Sequence, residues 1–86
     1  MRVTVISPER SLFEGEADAV VAPAFDGQVG ILPRHAPVLT LLGDGVLTVR
    51  QGRGGEARRF QVTGGFLQVV GDAVRVVAGS ASSPSS

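Results

Sequence analysis

Eighty-six residues, 43% of them hydrophobic, with a formal net charge of zero, describe one small folded domain. Eight arginines and no lysine face eight carboxylates, so the chain lacks the basic excess that general nucleic-acid binding uses to displace counterions. It has no cysteine, which removes disulfides, thiolate nucleophiles and thiolate metal ligands.

Mean hydropathy is +0.25, too apolar for a disordered chain. No apolar run approaches the roughly 18 residues of a membrane span. The opening MRVTVISPERSLF lacks the apolar centre of a secretion signal. The expectation is a cytosolic chain, without direct membrane insertion, that can still join a membrane complex through a partner.

Residues 2–7 alternate, with Val3 and Val5 on one side and Thr4 and Ile6 on the other. β-branched residues in that pattern predict a strand. Ser7-Pro8-Glu9-Arg10 is a turn, because Ser7 can bond back to the chain and Pro8 fixes φ. Leu12–Glu16 and Ala17–Ala24 read as two more strands, the second ended or placed on an edge by Pro23. The stretch from Leu12 to Ala22 is the richest in helix formers, but Gly15 and the Val20-Val21 pair argue for strand.

Phe25–Thr40 breaks the pattern. Asp26-Gly27 is a turn dipeptide. Gln28–Leu32 is a short apolar run, Pro33 removes a ladder donor, and Pro37 extends Ala36. A surface loop of defined shape is expected here, shaped by Gly27, Gly30, Pro33 and Pro37. It carries the chain's one histidine, His35.

Val38–Leu42 resumes a strand, and Gly43-Asp44-Gly45 turns the chain. Val46–Gln51 and Ala57–Thr63 flank the polar tip Gly52–Glu56 as a hairpin. Gly64-Gly65 separates off Phe66–Val70, and Gly71-Asp72 leads into Ala73–Ala78. Short strands and glycine turns repeated along the chain predict an all-β sandwich or barrel over residues 1–78. Residues 79–86, GSASSPSS, are expected to be a disordered serine-rich tail.

Catalytic chemistry finds little to work with. An enzyme site needs a nucleophile, an acid or base and a group that holds charge. The serines sit in turns or in the tail, without a nucleophile elbow. The carboxylates lie mostly at turns and strand edges, where solvation is the ordinary role. One histidine with scattered carboxylates has no metal-ligand spacing. Gly52–Gly55 lacks the lysine and hydroxyl of a phosphate loop and opens no helix. A carrier domain modified on lysine is excluded, since there is none. His35 therefore has two readings: a loop residue bonded to nearby backbone, or a contact on a binding surface. Arg34 beside it is either solvated or a partner for a carboxylate.

Several separated motifs, in order, resemble one family. They are SPERSLFEGEA (7–17), FDGQVGILPRHAPVLT (25–40), GDGVLTVR (43–50), VTGGFLQV (62–69) and VRVVA (74–78). The set looks like the epsilon subunit family of bacterial rotary F-type ATP synthases. Its members carry G-x-[ILV]-G-[ILM]-x-P-x-H-A-P-[LIV]-[LIV], met here by Gly27, Gly30, Ile31, Pro33 and His35–Leu39.

The resemblance implies a flattened β-sandwich of about ten strands. It implies a non-catalytic subunit of the central stalk, with no cofactor, peripheral on the cytoplasmic face of the cell inner membrane. Its partners would be the gamma subunit and the membrane proteolipid ring, driven by protons or sodium. Carried over residue by residue, the ring contact falls on Asp26, Gln28, Arg34 and His35. The position of Gln28 is often acidic in the family, and that of Arg34 is often glycine. Typical members continue into two C-terminal helices that inhibit ATP hydrolysis and in some cases bind ATP. This chain stops at its serine-rich end, so the expectation is coupling without that arm and without ATP binding. The rival reading is a free-standing β-domain whose loop is its own ligand site, which a groove with converging polar groups would support.

Overall fold

The structure is a computed structural model that describes residues 1–24, 27–34, 36–52 and 57–82. Among these it contains eight strands and no helix: β1 (Arg2–Ile6), β2 (Ser11–Glu16), β3 (Ala19–Ala24), β4 (Gly27–Ile31), β5 (Val38–Leu41), β6 (Gly45–Arg50), β7 (Ala57–Val70) and β8 (Ala73–Ser82). The all-β expectation is met. The strands form one hydrogen-bonded path, β2-β1-β8-β7-β6-β3-β4, with β5 also on β7.

Two long strands fold that path into layers. β7 pairs β6 through residues 57–62 and β5 through residues 66–69. β8 pairs β1, in parallel, through residues 73–77 and follows β7 along its length. One layer is therefore β2-β1, the first half of β8, the second half of β7, and β5. The other is the end of β8, the first half of β7, β6, β3 and β4. Each layer has five strand segments, because β7 and β8 serve both. The expected count of about ten strands corresponds to these ten segments.

The inward pattern shows where the chain crosses. In β7 the buried residues are Phe60 and Val62, then Leu67 and Val69. The buried parity changes from even to odd across Gly64-Gly65, where both residues have positive φ, +66° and +106°. β8 changes in step at Gly79, from buried Val74, Val76 and Ala78 to half-buried Ala81. A Cβ at Gly65 would overlap the carbonyl oxygen of Val77 and come within 2.8 Å of the Ala78 Cα. One at Gly79 would meet the Thr63 carbonyl oxygen at 2.9 Å. The two paired backbones approach here at a distance that excludes any side chain.

The core is what alternation predicts. Val3, Val5, Phe13, Leu67, Val69, Val74 and Val76 point inward from the first layer. Val20, Ala22, Ile31, Leu47, Val49, Phe60 and Val62 do so from the second. No polar or charged residue is buried among the described residues. Phe13 and Phe60 meet between the layers, centroids 6.4 Å apart and tilted by 60°. The Arg58 guanidinium covers both rings at 5.6 and 5.8 Å, a cation–π lid at the end of the core.

Three expectations change. Residues 57–63 and 66–70 are one strand, because the glycine pair bends β7 without shifting its register with β8, only the Gly64 position being skipped. Ala17 and Asp18 lie between β2 and β3 rather than opening a strand. The tail boundary moves: residues 79–82 belong to β8, with Ser80 opposite Thr63 and Ser82 opposite Gln61. A serine-rich composition has no apolar alternation, yet it can still close the edge of a sheet by backbone pairing. Residues 83–86 lie outside the described residues.

The two corner glycines carry different loads. Gly64→Ala meets open space and should cost about 1 kcal/mol, from its positive φ alone. Gly65→Ala should cost roughly 3 kcal/mol or more, through strain and backbone overlap together. Urea unfolding of both variants checks this; equal losses would contradict the close backbone approach.

Candidate functional site

The loop singled out in the sequence contains an edge strand followed by a turn at Pro33-Arg34. β4 is the last strand of its layer and pairs only β3 among the described residues. Gln28 is opposite Pro23, near the start of β4, and is exposed. Gly27, at φ +140°, begins the strand. Gly30 is a strand residue opposite Val21, with open space where a Cβ would stand. Ile31 is fully buried and anchors the far end of β4 in the core. The chain then turns through exposed Leu32, Pro33 and Arg34, and Pro37 leads into β5.

Gln28 and Arg34 therefore share an edge but not a point. The strand from Gln28 to Ile31 spans about 10 Å, and Arg34 lies beyond it. Asp26 and His35, the other two expected contacts, lie outside the described residues.

The backbone of Arg34 is unusual for an arginine. Its φ is +66°, and it is the one described non-glycine residue with positive φ. A side chain there costs roughly 1–2 kcal/mol that glycine does not incur. Its side chain forms no ion pair among the described residues. By contrast, Arg2 Nη2 reaches Glu14 Oε2 at 3.2 Å, an exposed pair of small net effect. Leu32 was not a sequence-level candidate, yet it is 61% exposed beside this turn. The turn chemistry of Pro33-Arg34 was the available signal, since a β4 that ends on buried Ile31 throws the next residue outward.

A second feature was not placed from the sequence. The outer face of the first layer carries an apolar row in strict register. Leu41 is opposite Phe66, Phe66 opposite Val77, and Val77 opposite Ile6. Leu39 and Val70 flank it, 71% and 58% exposed. Leu39, Thr40, Leu41, Phe66 and Gln68 line an open groove of about 590 Å³ there. Among its lining residues the polar side chains are one hydroxyl and one amide, so it offers a surface for packing rather than a converging polar set. No group of three or more potential metal ligands forms among the described residues.

Comparison with known proteins gives this surface its context. Residues 1–84 match the family model described as the ATP synthase delta/epsilon chain β-sandwich domain. The chain belongs to that family. It is 43% identical over 77 residues to the ATP synthase epsilon chain of Leptospira borgpetersenii, covering 90% of this chain and 59% of the relative. It is 44% identical over 80 residues to that of Desulforamulus reducens, covering 93% and 59%. The domain thus spans about three-fifths of the length of these relatives.

Two solved structures share its fold. A chain of the Euglena gracilis mitochondrial ATP synthase OSCP/F1/c-ring structure superposes with a TM-score of 0.85 at 23% identity, covering 94% of this chain and 51% of that one. A chain of the Tetrahymena thermophila mitochondrial ATP synthase central stalk/c-ring structure does so at 0.77 and 19%, covering 95% and 65%. The expected family and β-sandwich fold are both found.

Replacing Arg34 with glycine tests the strain directly. Arg34→Gly removes the positive-φ penalty and adds glycine's unfolded-state entropy, which is smaller. Stability should rise by roughly 0.5–1 kcal/mol in denaturant unfolding. A loss of stability would contradict the strained turn.

Proposed function

We propose that this domain is a non-catalytic element of the central stalk of an F-type ATP synthase, bridging the gamma subunit and the membrane proteolipid ring. The match of the family model to residues 1–84 carries this reading. The two similar solved structures, one of an OSCP/F1/c-ring assembly and one of a central stalk/c-ring assembly, support it. The domain's work would be mechanical. Two five-segment layers that share continuous strands and an all-apolar core resist shear, so torque applied at one surface reaches another without loss to internal sliding.

The gamma subunit would cover the outer apolar face of the first layer, on Ile6, Leu39, Leu41, Phe66, Val70 and Val77. Exposed apolar rows of this length mark contact surfaces. The ring would meet the β4 edge and the turn after it, where Gln28 and Arg34 are exposed, with Asp26 and His35 adjoining them in sequence. No catalytic step and no cofactor is assigned to any residue. The complex would hold the domain peripherally at the membrane surface. No described helix is long and apolar enough to cross a membrane.

Leu41 is 62% exposed, so changing it should spare the fold while weakening gamma. Titration of Leu41→Asp with gamma should show at least about a tenfold loss of affinity, since one buried leucine contributes about 1.5–3 kcal/mol. Its unfolding midpoint should match that of the parent. Unchanged affinity would place gamma elsewhere, and no gamma binding by the parent at micromolar concentration would overturn the stalk assignment.

A further inference from the structure

An open sheet edge is a row of unpaired N–H and C=O groups, which proteins blunt with charges, bulges, prolines or short strands. Among the described residues, β2 and β5 edge the first layer, and β4 and the end of β8 edge the second. β2 carries Glu14 and Glu16 and faces a register shift between Val5 and Ile6. β4 holds two glycines and leads into Pro33. The end of β8 is a run of small residues, Gly79–Ser82. β5 differs from all three. Its sequence is VLTL, its register with β7 is unbroken, and Leu39 and Leu41 are the two most exposed apolar residues on the outer face of its layer.

Antiparallel alternation decides which backbone groups this edge offers. Leu42 donates its N–H to the Gly65 carbonyl at 2.9 Å, so Thr40 and Val38 also bond toward β7, while Leu39 and Leu41 turn their groups away from it. The Leu41 carbonyl accepts from Thr40 Oγ1 at 3.5 Å. Past Leu41 the edge is closed by β3, since Leu42 bridges Ala24 and the Gly43 N–H donates to the Pro23 carbonyl at 2.8 Å. The open stretch is thus Pro37–Leu41, with Leu39 at its centre.

A second copy of this chain fits that stretch. Laid antiparallel with Leu39 opposite Leu39, each Leu39 N–H meets the carbonyl of the other. Leu41 then falls opposite Pro37, which supplies a carbonyl but has no N–H, so the Leu41 carbonyl is left to Thr40. A two-fold contact sets every charge near its axis against its own kind. Residues 38–43 and 60–71, which form β5 and the strand beside it, contain no charged side chain, and like-charge repulsion across the seam is absent.

We propose that free copies of this chain pair through β5 into a two-fold dimer, in which the two first layers become one continuous sheet. The contact is one short edge, far below the area of a standard interface, so its Kd is on the order of tens of micromolar. The inference goes beyond the stalk reading and does not need it. Where gamma covers the same face, pairing belongs to the chain outside the complex.

Sedimentation equilibrium of the full chain over about 1–500 μM tests this. The parent should move from its 8.8 kDa monomer mass toward about twice that value. Leu39→Lys places a charge at the centre of the edge and should weaken pairing at least about tenfold. Leu39 is 71% exposed, so the unfolding midpoint should not change. The chain has no cysteine, so single thiols report the register. Leu39→Cys should close a disulfide dimer on mild oxidation, because opposed residues of a hydrogen-bonded pair stand about 5.5 Å apart at Cα. Val46→Cys, on the outer face of the other layer, should close one far more slowly. A parent that stays monomeric throughout, a Leu39→Lys variant that dimerises as well as the parent, or equal cross-linking at the two positions would overturn the proposal.

Discussion

β7 and β8 bend together at Gly64, Gly65 and Gly79, and everything else in the domain follows from how closely their backbones approach there. A Cβ at Gly65 would overlap the Val77 carbonyl, and one at Gly79 would meet that of Thr63. This contact lets one hydrogen-bonded path become two layers. It also shifts the inward parity of both strands together, so Phe60 and Val62 on one side of the bend and Leu67 and Val69 on the other all reach the same core. Without the shift, half of β7 would point its apolar residues at water. A domain this small has little core to spare.

The same bend generates the outer surfaces. Because β7 changes parity, Phe66 faces outward in the second half of the strand, next to Leu41 on one side and Val77 on the other. The apolar row assigned to gamma is thus a consequence of how the core is filled. The β4 edge is of a different kind. It is uncharged, short, anchored by buried Ile31 and ended by a proline-stiffened turn. One surface suits permanent packing, and the other suits a polar contact that must be specific without being large.

Much of this was legible in the sequence, and the reasons are local. β-branched alternation in Val3–Ile6 and Ala73–Ala78, and glycine turns between runs, were enough for an all-β sandwich. The family motifs added function because several agree in order. What was not legible depends on tertiary context. Gly64-Gly65 read as a break between strands, since nothing local separates a turn from a bend that keeps its pairing. Residues 79–82 read as tail because serine carries no periodic signal, although β7 supplies a partner for their backbone. The row Ile6–Val77–Phe66–Leu41 draws on four strands and exists only once register is known. Arg34 was visible as a residue in an unusual place, and its positive φ gives the physical reason that a glycine would suit that place.

On the proposed reading, two separate surfaces of one domain are covered at once in the stalk. Oxidative side-chain footprinting of the chain alone and within the assembled gamma–ring stalk tests it most directly. Leu39, Leu41 and Phe66 on the first layer should become protected, as should Leu32 just past the end of β4. Val21 and Val46, on the outer face of the second layer, should stay as reactive as in the free domain. Protection of Val21 and Val46 with Leu39, Leu41 and Phe66 left reactive would put the partners on the opposite layer and overturn this placement.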